Sequence, residues 1–371
     1  MSRGLLIAVV CIGAANAVAD DVAEPAVNLR HVSIPKQASG SDGLAEIQVV
    51  STLDQSQQPS LFWAPATATT DSTPLLVLLH TWSGDYRQDK AAWHEQARAR
   101  GWIYLQPDFR GPNNRPEACG SKPARQDVLD AVEHVKKNYR VDESRIYLAG
   151  SSGGGHMAML MAGYHPREFS AVSAWVGISD LAEWYRFHVK DGQPQGYAKM
   201  VAASCGGAPG DSEQIDAEYR ARSPIFHLHR VGSLPLDLCA GVQDGHTGSV
   251  PIHHTLRAFN TVAATGGYQQ VSDAEIDELW TNHQLSNPRP DDVAEDSEYG
   301  RAIMLRRTAG PSRVTIFDGG HEGLPEAACH WLTRQTRRFG ASNAKPAAAP
   351  GNSTGCPTVR TPTHSRLVTT P

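Results

Sequence analysis

A short apolar strand pattern, Arg145-Ile146-Tyr147-Leu148-Ala149, runs straight into Gly150-Ser151-Ser152-Gly153-Gly154 and then into a helical pattern beginning at Gly155-His156-Met157-Ala158. Few arrangements let a strand pass into a helix within so few residues. One that does is a tight turn that lifts a serine hydroxyl clear of the sheet edge, with small neighbours because strand, turn and helix crowd one another. The spacing Gly-x-Ser-x-Gly makes Ser152 the candidate nucleophile and turns Ser151 away from the site.

The surrounding pattern fits that turn into a larger design. Residues 46–52 and 61–64 read as leading antiparallel strands. From Pro74 onward, strand and helix alternate. Strands are expected at 75–80, 103–109, 145–150, 171–178, 236–243 and 313–318, and helices at 87–100, 125–139, 154–164, 252–264 and 327–339. Solid apolar runs such as Leu75-Leu76-Val77-Leu78-Leu79 suit strands covered on both faces. The alternation predicts an α/β fold, a mostly parallel central sheet with helices on both faces. Two long interruptions, 181–231 and 266–310, are expected to pass over the top of the sheet as lid-like insertions. No internal repeat is evident.

The ends read differently. Arg3, the apolar stretch 5–12 and Ala17-Val18-Ala19 have the layout of a secretory signal cleaved near Ala19, which predicts an exported, secreted or periplasmic protein with no membrane association once the signal is removed. The expected organisation is therefore a signal at 1–19, leading strands within 20–73, a catalytic domain at 74–340 and a tail at 341–371 rich in Ala, Pro, Ser and Thr, read as disordered. Cleavage would remove Cys11 and leave Cys119, Cys205, Cys239, Cys329 and Cys356, so one or two disulfides are expected with at least one free thiol, and Cys239 reads as a buried small hydrophobe. A net charge of −5 with no block of like charge argues against nucleic-acid partners. No metal is expected, since His321-Glu322 lacks the second histidine of a zinc motif.

A serine hydroxyl needs a base within reach, and the base needs an acid to hold its tautomer. In this strand-turn-helix architecture the acid follows the serine in the chain and a histidine comes last, each after the C-terminal end of a strand. Asp244 closes the strand 236–243, and His321 stands in Gly319-Gly320-His321-Glu322-Gly323 after the final strand. Asp237 lies at the wrong end of its strand, Asp318 precedes the loop, and His246, His253, His254 and His330 are better placed for packing or solvent. The backbone N–H of Gly153, together with that of Trp82 or alternatively Thr81 in His80-Thr81-Trp82-Ser83-Gly84, is the expected oxyanion hole. Trp184, Tyr185, Tyr197 and Trp280 in the two insertions are candidates for a sugar-binding rim.

With these motifs in order, the chain resembles the α/β-hydrolase superfamily and, within it, the catalytic domain of the prolyl oligopeptidase family. The likeness includes Pro107-Asp108-Phe109-Arg110-Gly111, a helix near Asp127, Asp142 with Arg145-Ile146, His165-Pro166-Arg167-Glu168-Phe169, and Val250-Pro251 after the acid. It implies Ser152, Asp244 and His321 as a catalytic triad needing no cofactor. The chain departs from the family in having too few residues before Pro74 for a β-propeller, in carrying His80-Thr81 where the family has His-Gly, and in a longer stretch between Asp244 and Val250-Pro251. Three functions follow as expectations: an esterase trimming acyl groups, including those on polysaccharides; a serine peptidase acting on peptides; and a non-catalytic binding protein on the same scaffold. The partners expected are small-molecule, acylated-carbohydrate or peptide substrates.

Overall fold

The computed structural model describes residues 43–337. The expected signal at 1–19, the tail at 341–371 and Cys356 lie outside the described residues. Strands β1 (Ala45–Val50) and β2 (Gln57–Trp63) form a leading antiparallel pair whose alternate residues are buried. They are followed by β3 (Thr73–Leu79), α1 (Ala91–Ala99), β4 (Ile103–Pro107), α2 (Lys122–Asn138), β5 (Val141–Ser151), α3 (Gly153–Tyr164) and β6 (Ala171–Trp175). The first insertion holds α4 (Leu181–Phe187), a small hairpin of β7 (Val189–Lys190) and β8 (Gln193–Pro194), α5 (Gly196–Cys205) and α6 (Glu213–Arg222). Then come β9 (Leu236–Gly241), α7 (His253–Gly266), α8 (Asp273–Asn282), β10 (Ile303–Ala309), β11 (Ser312–Phe317) and α9 (Pro325–Thr333).

The main sheet has nine strands in the order β1-β2-β4-β3-β5-β6-β9-β11-β10. Its centre, from β4 to β11, is parallel throughout, and only β1, β2 and β10 run against their neighbours. Strand order reverses after β4: the chain steps from β3 to β4 on one side, then crosses to β5 on the other. Right-handed crossovers therefore put α1 on one face and α2, α3 and α7 on the opposite face, and α9 packs with α1. Every residue of β3, β6 and β9 is buried, which is why 75–79 reads as an unbroken apolar run, while the buried Ser173 of β6 donates to the buried Asp237 of β9 at 2.8 Å.

Two sequence expectations are corrected. The interruption 266–310 is not all excursion, because its last part is β10, an edge strand antiparallel to β11. Alternate residues of β10 face inward, but one of them is Arg307, which removes the apolar alternation that would have marked a strand. Its guanidinium is neutralised by Asp292 at 2.8 Å and Glu275 at 2.6 Å. The expected disulfides are also absent among the described residues: Cys119, Cys205, Cys239 and Cys329 are all buried and unbridged, as the reading of Cys239 anticipated for that residue alone.

The first insertion is anchored to the site. Trp184, Tyr185, Val201 and Tyr219 share one buried cluster with Trp82, from the loop after β3, and with Val250, from the loop after β9. Burial of this much apolar surface makes the insertion part of the same core as the two site loops rather than a separate flap.

Candidate active site

Ser152 sits between β5 and α3 with φ 59° and ψ −118°, a conformation that costs energy in any residue but glycine. The turn is held from both sides. The Ser152 N–H donates to the Trp175 carbonyl at 2.9 Å, and the Ser152 carbonyl accepts from the His156 N–H at 2.8 Å. Glycine is required beside it: a Cβ on Gly150 would lie 2.4 Å from the Gly154 carbonyl oxygen, and one on Gly153 would lie 2.3 Å from the Trp82 nitrogen. Ser151 is not turned away as expected, since it lines the same cavity as Ser152.

Asp244 lies in the loop after β9 and is fully buried. A buried carboxylate needs its charge answered, and here each oxygen has a partner. Oδ1 accepts from the Gly245 N–H at 2.9 Å and from the Val250 N–H at 3.2 Å, while Oδ2 lies 2.8 Å from His321 Nδ1. The long stretch between Asp244 and Val250-Pro251 thus folds back on its own acid. His321, in the loop after β11, turns Nε2 toward the hydroxyl of Ser249 at 3.4 Å and borders the cavity that Ser152 also lines. The competing residues are engaged elsewhere. Asp237 pairs with Arg313 at 2.7 Å, His330 pairs with Glu298 at 3.2 Å, and His246 stacks on Trp280 with ring centroids 3.7 Å apart.

The loop after β3 carries the second set of donors. The Thr81 N–H is committed to Gln88 Oε1 at 2.9 Å, and Gln88 Nε2 returns a hydrogen bond to the Thr81 hydroxyl at 2.8 Å. The Trp82 N–H makes no hydrogen bond among the described residues and packs against Gly153, whose own N–H stands in the first turn of α3 where no intrahelical acceptor exists. Of the two alternatives, Trp82 is the one left with a donor to offer. His80, stacked on Phe109 at 3.8 Å and touching the Asp108 carbonyl at 2.5 Å, ties this loop to the one after β4.

Ser152 and His321 open onto a cavity of about 340 Å³ that is also lined by Trp82, Lys90, Trp93, Tyr197 and Glu322. A second cavity of about 400 Å³, bordered by His188, Lys190 and Met200, meets the first at Ser83 and Tyr197. Of the four aromatic residues considered for a sugar-binding rim, Tyr197 alone lines these cavities. Trp184 is fully buried, packing on Trp82 at 4.6 Å and donating from Nε1 to the Ser249 carbonyl at 2.8 Å, while Tyr185 is buried and Trp280 stacks on His246. Sequence reading missed Lys90, Gly248 and Ser249. Lys90 fell inside an expected helix that in fact begins one residue later, and the other two lie in a loop whose path depends on the buried carboxylate it wraps.

Comparison with known proteins agrees with the fold. Residues 90–287 match the prolyl oligopeptidase family, a stretch that includes Ser152 and Asp244 and ends before His321. The chain is similar to the uncharacterized peptidase YtmA of Bacillus subtilis, 25% identical over 163 residues, covering 43% of this chain and 58% of that one. It is also similar to the bifunctional acetylxylan esterase/xylanase XynS20E of Neocallimastix patriciarum, 32% identical over 95 residues, covering 25% of this chain and 14% of the relative. Among solved structures, the acylaminoacyl peptidase of Pyrococcus horikoshii matches with 20% identity and a TM-score of 0.48, over 60% of this chain and 35% of that one. The chain thus spans little more than half the length of YtmA and much less of the other two. With a mostly parallel sheet of α/β-hydrolase type and a match over more than half its length, the chain belongs to the prolyl oligopeptidase family of serine hydrolases.

Proposed function

We propose that the protein is a hydrolase that cleaves a carboxylic ester through a covalent acyl-enzyme. His321 Nε2 takes the proton of Ser152 as Oγ attacks the carbonyl carbon, and Asp244 holds the imidazole tautomer and steadies the imidazolium. The N–H groups of Gly153 and Trp82 receive the negative oxygen of the tetrahedral intermediate. Collapse expels the alcohol, which takes its proton from His321. Water activated by the same histidine then releases the acid and restores Ser152. The observation that carries this reading is the 2.8 Å contact between Asp244 Oδ2 and His321 Nδ1 on a histidine that borders the same cavity as the strained Ser152.

An ester is favoured over a peptide by the charges at the cavity. A peptidase that grips the free amino end of its substrate needs an anion there, and the one carboxylate side chain lining the cavity, Glu322, is held by Arg301 at 2.6 Å. Tyr197, at the junction of the two cavities, suits an acylated sugar, consistent with the acetylxylan esterase activity that the XynS20E name gives to that relative. The peptidase reading stays as the second one because YtmA is described as a peptidase. An exported location completes the proposal, resting on Arg3, the apolar residues 5–12 and Ala17-Val18-Ala19. No helix among the described residues is long and apolar enough to cross a membrane.

The test is hydrolysis of matched p-nitrophenyl esters and aminoacyl p-nitroanilides, with Ser152→Ala as the blank. Ester turnover without anilide turnover is expected. Efficient anilide cleavage would make the protein a peptidase, and activity equal to the Ser152→Ala blank on both would support a binding protein on a hydrolase scaffold.

A further inference from the structure

Lys90 breaks a local rule in a place where a substrate would meet it. It stands at the N-cap of α1, the positive end of the helix dipole, and its side chain caps nothing. It is half-buried, and burial pulls its pKa below the ordinary lysine value of 10.5. Its ammonium makes no hydrogen bond and no ion pair among the described residues. Asp89, its chain neighbour, attracts it through space while accepting from the Ala91 N–H at 2.9 Å, and Glu322, which lines the same cavity, pairs with Arg301. A half-buried ammonium that no side chain hydrogen-bonds calls for a partner.

The cavity supplies the explanation. Lys90 lines it together with Ser152 and His321, and while the Glu322 carboxylate of the same lining is paired with Arg301, no side chain among the described residues holds the Lys90 ammonium by a hydrogen bond or ion pair. We propose that Lys90 determines specificity by receiving a carboxylate of the substrate, so that the esters cleaved fastest carry a free acid group close to the scissile bond. The proposal rests on the ester-hydrolase reading of this cavity and narrows it to anionic substrates. The shared chemistry is a carboxylate, which either the acyl part or the alcohol part of the ester can bring.

Two matched pairs of esters separate those sources. One pair carries the charge on the acyl side, p-nitrophenyl hydrogen glutarate against its methyl-capped diester. The other carries it on the alcohol side, 4-acetoxybenzoate against its methyl ester. In the full chain, kcat/KM is expected to favour the anionic member of one pair by about tenfold or more, the range for a hydrogen bond to a charged group. Lys90→Gln should bring that ratio to about one, Lys90→Arg should keep most of it, and Lys90→Glu should reverse it. Because the ratio is taken within one protein, any general loss of activity divides out. Ratios near one in both pairs for the unaltered protein, or a preference that survives Lys90→Gln, would overturn the proposal while the neutral esters still report the ester-hydrolase reading. If neither member of either pair is turned over above the Ser152→Ala blank, that parent reading falls and this one falls with it.

Discussion

A methyl group added at Gly248 would lie 2.2 Å from Oδ1 of Asp244 and 2.6 Å from the Cβ of His321. No side chain fits at that position while the acid and the histidine keep their places. Gly248→Ala is therefore expected to displace one of them. Misplacement by about an ångström costs on the order of a hundredfold in rate, so kcat on an ester should fall by about that factor. The loop is at the surface, and the melting temperature should move little. An active Gly248→Ala protein would show that the Asp244–His321 pair is not what sets the rate.

The contact between Asp244 and His321 and the contact between Ser249 and His321 should carry very different weight. Asp244→Asn keeps the shape but cannot hold the same imidazole tautomer, and kcat is expected to drop on the order of 10⁴-fold. The Ser249 hydroxyl touches His321 Nε2 only at 3.4 Å, a weak hydrogen bond that the Ser152 hydroxyl replaces during attack. Ser249→Ala should change kcat/KM by less than about fivefold. A Ser249→Ala loss as large as that of Asp244→Asn would make the serine part of the proton path.

The buried edge cluster is expected to govern stability rather than activity. Arg307 answers the fully buried Asp292, and removing one partner of such a pair leaves an uncompensated charge, so Arg307→Met should destabilise the fold by about 3–5 kcal/mol. Arg307 also holds the Glu275 carboxyl down to about 2 from an ordinary 4.5. A depressed carboxylate contributes stability that is fully present above pH 4.5 and is lost as pH falls toward 2. Urea unfolding followed across this range should show a smaller acid loss in Glu275→Gln than in the unaltered protein, and equal losses would remove the pair from the acid response.

His156, one turn after Ser152 on α3, is fully buried, and burial pushes its pKa down to about 4. Its Nε2 lies 2.7 Å from the Arg222 carbonyl. The unfolded chain takes up a proton near the ordinary value of 6.5 and the folded chain does not until about 4. Stability from this residue is thus present above about pH 6.5 and declines as pH falls toward 4, by ~3 kcal/mol at most. His156→Gln should flatten that slope in urea midpoints measured from pH 7 to 4. Parallel slopes in the two proteins would exclude His156 as a source.

Much of this protein was legible in one dimension. Periodicity placed the core strands and the helices α1, α2, α3, α7 and α9 in their order, with α9 ending at Thr333 where 339 was expected, because a strand covered on both faces is mostly apolar and a helix on a sheet needs at least an apolar stripe. The turn at Ser152 was legible because its geometry tolerates only small neighbours, and the placing of Asp244 and His321 in loops after strand ends because the strand and helix alternation fixes where those loops fall. What local pattern does not encode is which distant groups neutralise one another. The strand β10 was hidden because its inward Arg307 becomes acceptable only when Asp292 and Glu275 fold against it. The choice between Thr81 and Trp82 depended on whether Gln88 had already taken one N–H. The neighbours of the Asp244–His321 pair, and the place of Lys90 at the cavity, arise only when loops from separate strands converge at one end of the sheet. Sequence alone determined the scaffold and the order of its reactive groups; the tertiary structure decided their partners, since hydrogen bonds and charge compensation follow distance in space and not separation along the chain.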